Sequence, residues 1–157
     1  MMRMTKQGFV AGAVLVATFA AAQDRPRETA MEPAPPPLVA SNRFDGDWTV
    51  RMDCPDSGGA QAFAVSLPAS VLNGKLFGSS GAPGAEGTVQ IDGTILPDGD
   101  ARLQARGRTS SPAVEAGKPP PGTPFSYDVA AHFDATTMRG SGRRVQDRPC
   151  DFGFTRR

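Results

Sequence analysis

Arg139, Arg143, Arg144, Arg148, Arg156 and Arg157 crowd the last part of the chain, where the only acids are Asp147 and Asp151. Guanidinium groups grip carboxylates and phosphates through paired N–H donors. The cluster therefore predicts an anion-binding surface at Arg139, Arg143, Arg144 and Arg148. Arg102, Arg106 and Arg108 line a second outward face. The competing reading is a solvated surface with one structural arginine. In that reading Arg143 or Arg144 stacks over Trp48 by cation–π attraction and closes a barrel end. The formal net charge of +1 favours the solvated surface and gives no global pull toward nucleic acid.

The acids and the single histidine are less suggestive. His132 lies near Asp128 and Asp134, but a catalytic triad needs a positioned serine as well, and no serine elbow is present. Asp98 and Asp100 flank Gly99 and read as turn residues, because calcium loops space their acids more densely and add a distal Glu. Asp45 and Asp47 bracket Gly46 and read as an exposed strand start. Two cysteines and one histidine make a four-ligand zinc site hard to assemble. No catalytic residue, metal or cofactor is predicted, and the chain reads as a non-enzyme.

The elements that must hold these side chains begin with a targeting segment. "MMRMTKQ" carries Arg3 and Lys6 without an acid. "GFVAGAVLVATFA" is an uninterrupted run of apolar and small residues, and Ala20–Ala22 offer cleavage positions. This is a secretory signal peptide over 1–22. The run is short for a membrane span, which needs about 20 residues, so no stable membrane insertion is expected after cleavage. Residues 23–42 are proline-rich, lack aromatics and show no period. They read as a disordered, polyproline-like linker, or as a peptide arm for a partner.

From Arg43 to Arg157 the texture becomes short alternating runs broken by Gly, Pro, Asn and Asp. The chain holds 18 glycines and 15 prolines, which favours a turn-rich fold over a helical one. Trp48, Val50, Met52 and Cys54 share one face of the first run, and Phe63, Val65 and Leu67 one face of the second. Pro68 predicts a bulge or bend there. Asn73-Gly74 is a strong hairpin signal, followed by a short third strand at Leu76–Gly78. Val89, Ile91 and Ile95 face inward before a Pro97–Asp100 turn, and Ala101, Leu103 and Ala105 after it. A long loop covers Arg108 to Pro124. Tyr127, Val129, Ala131 and Phe133 then alternate, a glycine-broken strand covers Met138–Val145, and Cys150, Phe152 and Phe154 end the chain. About eight antiparallel strands at this spacing predict an up-and-down barrel, with a β-sandwich as the alternative.

Export places the two cysteines in an oxidising compartment, where they are expected to pair. Cys54 ends the first strand and Cys150 begins the last. If they lie opposite one another, Met52 faces Phe152, Val50 faces Phe154 and Trp48 faces Arg156. Inward residues meet inward residues, and a one-residue slip would destroy the match. First strand against last strand closes a meander into a barrel and removes its edges.

The motif set resembles a group of small secreted proteobacterial domains to which no activity is attached. They carry F-D-G-x-W, C-P, D/N-G-x-L-x-G, P-D-G, P-P-P-G-T-P-Y/F and G-R-R…R-P-C-x-F-x-F. Here these read Phe44–Trp48, Cys54-Pro55, Asn73–Gly78, Pro97–Gly99, Pro119–Phe125, Gly142–Arg144 and Arg148–Phe154. Similar domains stand alone or are appended to signalling or caspase-like proteins, which implies a module rather than an enzyme. More distantly, Gly46-x-Trp48 and a late arginine resemble barrels of the lipocalin and avidin type. Secreted barrel inhibitors of metalloproteases share the start and an N-terminal arm, with their disulfide elsewhere.

Two functions follow as expectations. The first is an exported, non-catalytic barrel that binds a small or anionic ligand in the periplasm or outside the cell. The alternative is a solid-cored module that binds or inhibits another envelope protein. The inner volume of the barrel separates them.

Overall fold

The computed structural model describes residues 42–157. The expected signal peptide over 1–22 and all of the expected linker except Asn42 lie outside the described residues. The described chain is all-β. Its strands are β1 (Gly46–Cys54), β2 (Phe63–Leu72), β3 (Lys75–Ser80), β4 (Val89–Ile95), β5 (Asp100–Arg108), β6 (Pro124–Asp134), β7 (Arg139–Arg144) and β8 (Asp151–Arg156). Each pairs antiparallel with the next, and β8 returns to β1, so the sheet closes into an eight-stranded up-and-down barrel.

Alternation drives this closure. Along β1, Trp48, Val50, Met52 and Cys54 are buried while Asp47 and Arg51 face solvent. Strand side chains alternate between faces, so one apolar set per strand fills one interior. At the β1–β8 seam, Trp48 lies opposite Arg156, Val50 opposite Phe154 and Met52 opposite Phe152. Cys54 and Cys150 continue that register as a disulfide, with their Cα atoms 4.3 Å apart.

The strands differ from the sequence expectation in local ways. Pro68 makes no bulge. It lies opposite Thr49 in an unbroken β1–β2 register and points outward. Its missing N–H is accommodated on the other side, where the β2–β3 ladder runs only from Ala69 to Leu72. The third strand extends to Lys75–Ser80, because its pairing to β4 continues after β2 has turned away. Asn42, assigned to the linker, opens a short 3-10 helix at Asn42–Phe44.

One barrel end is shut. The connections there are short: Asn73-Gly74 between β2 and β3, the turn before Asp100, and the turn after Asp134. Asn73 and Gly74 take φ of 51° and 69°, as a tight two-residue hairpin requires. The Asp45 carboxylate accepts from both of their amides, at 2.8 and 3.0 Å. Phe44 drops into this end as a plug, and its carbonyl accepts the Trp48 indole N–H at 2.9 Å. Trp48 meets Phe133 edge-on, and Phe133 tilts against Phe154. Gly140 gives Phe133 its space, since a Cβ there would sit 3.1 Å from that ring. Gly93 does the same for Leu103, where a Cβ would come within 2.8 Å of the leucine side chain. Small inward residues here therefore host large neighbours.

The other end is different. All four connections there are longer, and the inward residues of β2 become half-buried at Phe63 and Val65, whereas Leu67, Ala69 and Val71 are buried. This end is the mouth.

Candidate functional site

A cavity of about 240 Å³ opens at the mouth. Met52, Val65, Val89, Tyr127 and the Cys54–Cys150 bridge form apolar wall, and Arg108, Glu115, Arg144 and Arg148 supply charge. Pockets for drug-sized ligands run about 300–1,000 Å³, so this one suits something smaller. An apolar floor with a few convergent polar groups is the usual form of a small-molecule site.

The loop between β5 and β6 shapes the rim. Thr109 is buried and pins it, donating through Oγ1 to the Pro120 carbonyl and accepting from the Thr123 amide. The loop carries a 3-10 turn at Pro112–Val114, capped by the Ser111 hydroxyl. Its Ala113 carbonyl accepts from the Gln61 amide, joining it to the β1–β2 connection.

Arg148 ties these loops together. It is 4% exposed and donates to the carbonyls of Cys54, Pro55, Gln61 and Val114. It also lies over the Phe63 ring. Among the described residues no carboxylate pairs with it. Carbonyl dipoles and the Phe63 ring are thus its direct partners, and they offset part of the cost of burying a cation.

Arg144 comes from the inner face of β7, whose Gly140 and Gly142 precede it on the same side. Its guanidinium lies 4.1 Å from the centre of the Tyr127 ring. Its side chain is 15% exposed, and among the described residues its sole ion-pair partner is Asp147 at 3.4 Å. Its Nε is buried with no hydrogen-bond partner among the described residues. Tyr127 donates its hydroxyl to the Met52 sulfur at 3.0 Å, and a thioether is a weak acceptor. Burial pushes the Tyr127 phenol up to about 12, against the pull of Arg144. Burial also raises the Glu115 carboxyl, with Arg144 and Arg148 working in the opposite direction. The mouth thus holds one orphaned donor, one weakly engaged hydroxyl and one half-buried carboxyl.

The structure separates the predicted arginine cluster. Arg139 lies at the shut end of β7, across from Asp134 and Thr155. Arg143 points outward and pairs with Asp151 at 2.8 Å. Arg144 and Arg148 line the mouth. The expectation that Arg143 or Arg144 stacks over Trp48 is corrected: β7 runs from the shut end to the mouth, so Arg144 reaches Tyr127 instead. The residue opposite Trp48 is Arg156, whose guanidinium occupies the space beside Gly46.

The remaining candidates have structural partners. His132 sits on the outer wall, with Nδ1 2.7 Å from Asp100 across the β5–β6 pair. Asp98 accepts the Asp100 amide within its turn. Asp134 accepts from the Thr136 and Thr137 amides and the Thr137 hydroxyl, which lowers its carboxyl pKa. Among the described residues no three His, Cys, Asp or Glu side chains converge as a metal site would need.

Sequence reasoning missed Glu115 and the mouth role of Tyr127. Glu115 is the lone acid of the long loop, and Tyr127 is the lone tyrosine of the chain, placed inward yet carrying a hydroxyl. Both were visible signals. Comparison with protein-family models, curated proteins and solved structures returns no match.

Proposed function

We propose that this barrel is a non-catalytic binding module that takes a small anionic ligand in its mouth. The observation that carries the reading is the Arg144 guanidinium, which lines a small cavity with an apolar wall and has only a 3.4 Å contact to Asp147 as carboxylate partner among the described residues. The part of its side chain that stays exposed offers N–H donors to a ligand oxyanion, and such charge-assisted bonds are the strong ones. Arg148, buried without a carboxylate, adds attraction for the same charge. His132 lies on the outer wall and outside this cavity, which supports binding over catalysis.

The location follows from the same chain. The signal segment directs export to the periplasm or beyond, and the disulfide suits an oxidising compartment. The outer wall carries Arg51, Arg102, Gln104, Arg106, Asp128 and His132 in exposed positions. A membrane barrel needs an apolar outer band instead, so the wall suits water. One end shut by a tryptophan of the first strand and one end open agrees with the likeness to lipocalin and avidin type barrels. The alternative, a solid-cored envelope-protein binder, fits the shut half but not the mouth.

Calorimetric titration of the oxidised barrel with a panel of short-chain carboxylates tests the reading. Saturable binding is expected, and Arg144→Gln should remove it while leaving the far-ultraviolet circular dichroism intact. Absence of heat for the whole panel at millimolar concentration, with no ligand retained in native mass spectra of periplasmic extract, refutes it.

A further inference from the structure

Glu115 and Arg144 line the same small cavity with opposite charges, yet they form no ion pair with each other. Arg144 instead reaches out to exposed Asp147, and only at 3.4 Å. The Glu115 side chain accepts no hydrogen bond among the described residues. Two opposite charges that feel one another across a cavity, without touching, leave a gap between them. That gap has an acceptor wall and a donor wall.

Consider what fills it. A simple carboxylate meets the Arg144 guanidinium but sets its charge against Glu115. A simple amine satisfies Glu115 but meets Arg108, Arg144 and Arg148. Each leaves one charged group of the cavity unpaired, and sites built to pair a polar group discriminate against analogues that lack its partner. A ligand with both groups on one carbon satisfies both walls at once. Met52, Val65, Val89 and the disulfide give the cavity an apolar wall, and its size suits a short side chain.

We infer that the mouth takes a small zwitterion of the amino-acid class, its carboxylate on Arg144 and its ammonium toward Glu115. A short apolar side chain lies on the Met52–Val65–Val89 wall. This rests on the ligand-binding reading above and narrows it.

The test titrates the oxidised barrel with L-valine, with isovalerate, which lacks the ammonium, and with isobutylamine, which lacks the carboxylate. Charge-assisted hydrogen bonds predict that valine binds at least about tenfold tighter than either. Glu115→Gln should bring valine and isovalerate to near parity, whereas Arg144→Gln should weaken both. Isovalerate binding as tightly as valine to the unaltered protein overturns the zwitterion and leaves the anion site standing. Binding by none of the three overturns the zwitterion, and together with a silent carboxylate panel removes the site itself. The comparison of ligands on the unaltered protein needs no variant to fold.

Discussion

The Arg144 guanidinium lies over the Tyr127 ring, 4.1 Å from its centre, at the mouth of a barrel whose opposite end is sealed by Trp48. The contact does two things. It stabilises a cation in a partly dry site through the ring quadrupole, and it holds the guanidinium in the lining of the cavity. The aromatic face thus does for one side of the guanidinium what a carboxylate does elsewhere.

Tyr127 reports on this arrangement directly, because it is the only tyrosine. Its phenol is pushed up to about 12, chiefly by burial, from an ordinary value near 10. A raised folded pKa gives stability that is full below pH ~10 and lost as pH climbs toward ~12. The loss amounts to about 2–3 kcal/mol. Phenolate absorbance should therefore rise with a midpoint well above that of free tyrosine, together with declining stability. A midpoint near the free value would show that the ring is wet.

The Cys54–Cys150 bridge spans 96 residues of sequence and so constrains most of the domain. The chain-entropy model assigns about 4–5 kcal/mol to a loop of that length. Reduction, or a Cys54→Ala/Cys150→Ala pair, should lower the midpoint of urea unfolding by a corresponding amount. It should also loosen the mouth before the shut end, because the bridge lines the cavity. An unchanged midpoint after reduction would assign closure to strand pairing alone.

The barrel was legible because two independent patterns agreed. Alternation named the inward residues, and the cysteines then fixed the only register that matched them across the seam. The observed β1–β8 pairing is that register. The site was legible in type but not in place. Composition marked arginines as the distinctive chemistry, yet neighbours in sequence such as Arg143 and Arg144 point to opposite faces of β7. One pairs with Asp151 outside, and the other enters the mouth. Arg148 was unreadable for another reason. It sits in a connection without a period, and its role depends on four carbonyls from three distant segments. Pro68 misled because proline's cost depends on which neighbour its missing N–H faces, and that is a property of the sheet.

Arg148 makes a prediction about order rather than global stability. Arg148→Met keeps the stem that packs near Phe63 but leaves the Cys54, Pro55, Gln61 and Val114 carbonyls without their donor. Buried acceptors left unpaired cost about 1–3 kcal/mol each at most, and water entering the mouth recovers part of that. Hydrogen exchange should accelerate at the Gln61 amide, which bonds the Ala113 carbonyl, and across the 109–118 loop. The β4–β5 ladder should keep its protection, since local opening need not unfold the barrel. Uniformly accelerated exchange would mean that Arg148 holds the whole fold instead.

Trp48 makes the complementary prediction at the shut end. It is fully buried, packs edge-on to Phe133, and donates to Phe44, the residue that plugs the barrel. Trp48→Ala removes the indole volume and should cost about 3–5 kcal/mol. Trp48→Phe keeps an aromatic edge for Phe133 but strands the Phe44 carbonyl, and should cost about 1–3 kcal/mol. The order matters more than either value, because it separates packing from the hydrogen bond. Far-ultraviolet circular dichroism in urea is the proper readout, since both variants remove the only tryptophan. If Trp48→Phe costs as much as Trp48→Ala, the plug is held mainly by its hydrogen bond, and Phe44→Ala should then be nearly as harmful. Ligand affinity at the mouth should survive Trp48→Phe, because the two ends are separated by the buried layer of Val50, Leu103, Val129 and Phe154.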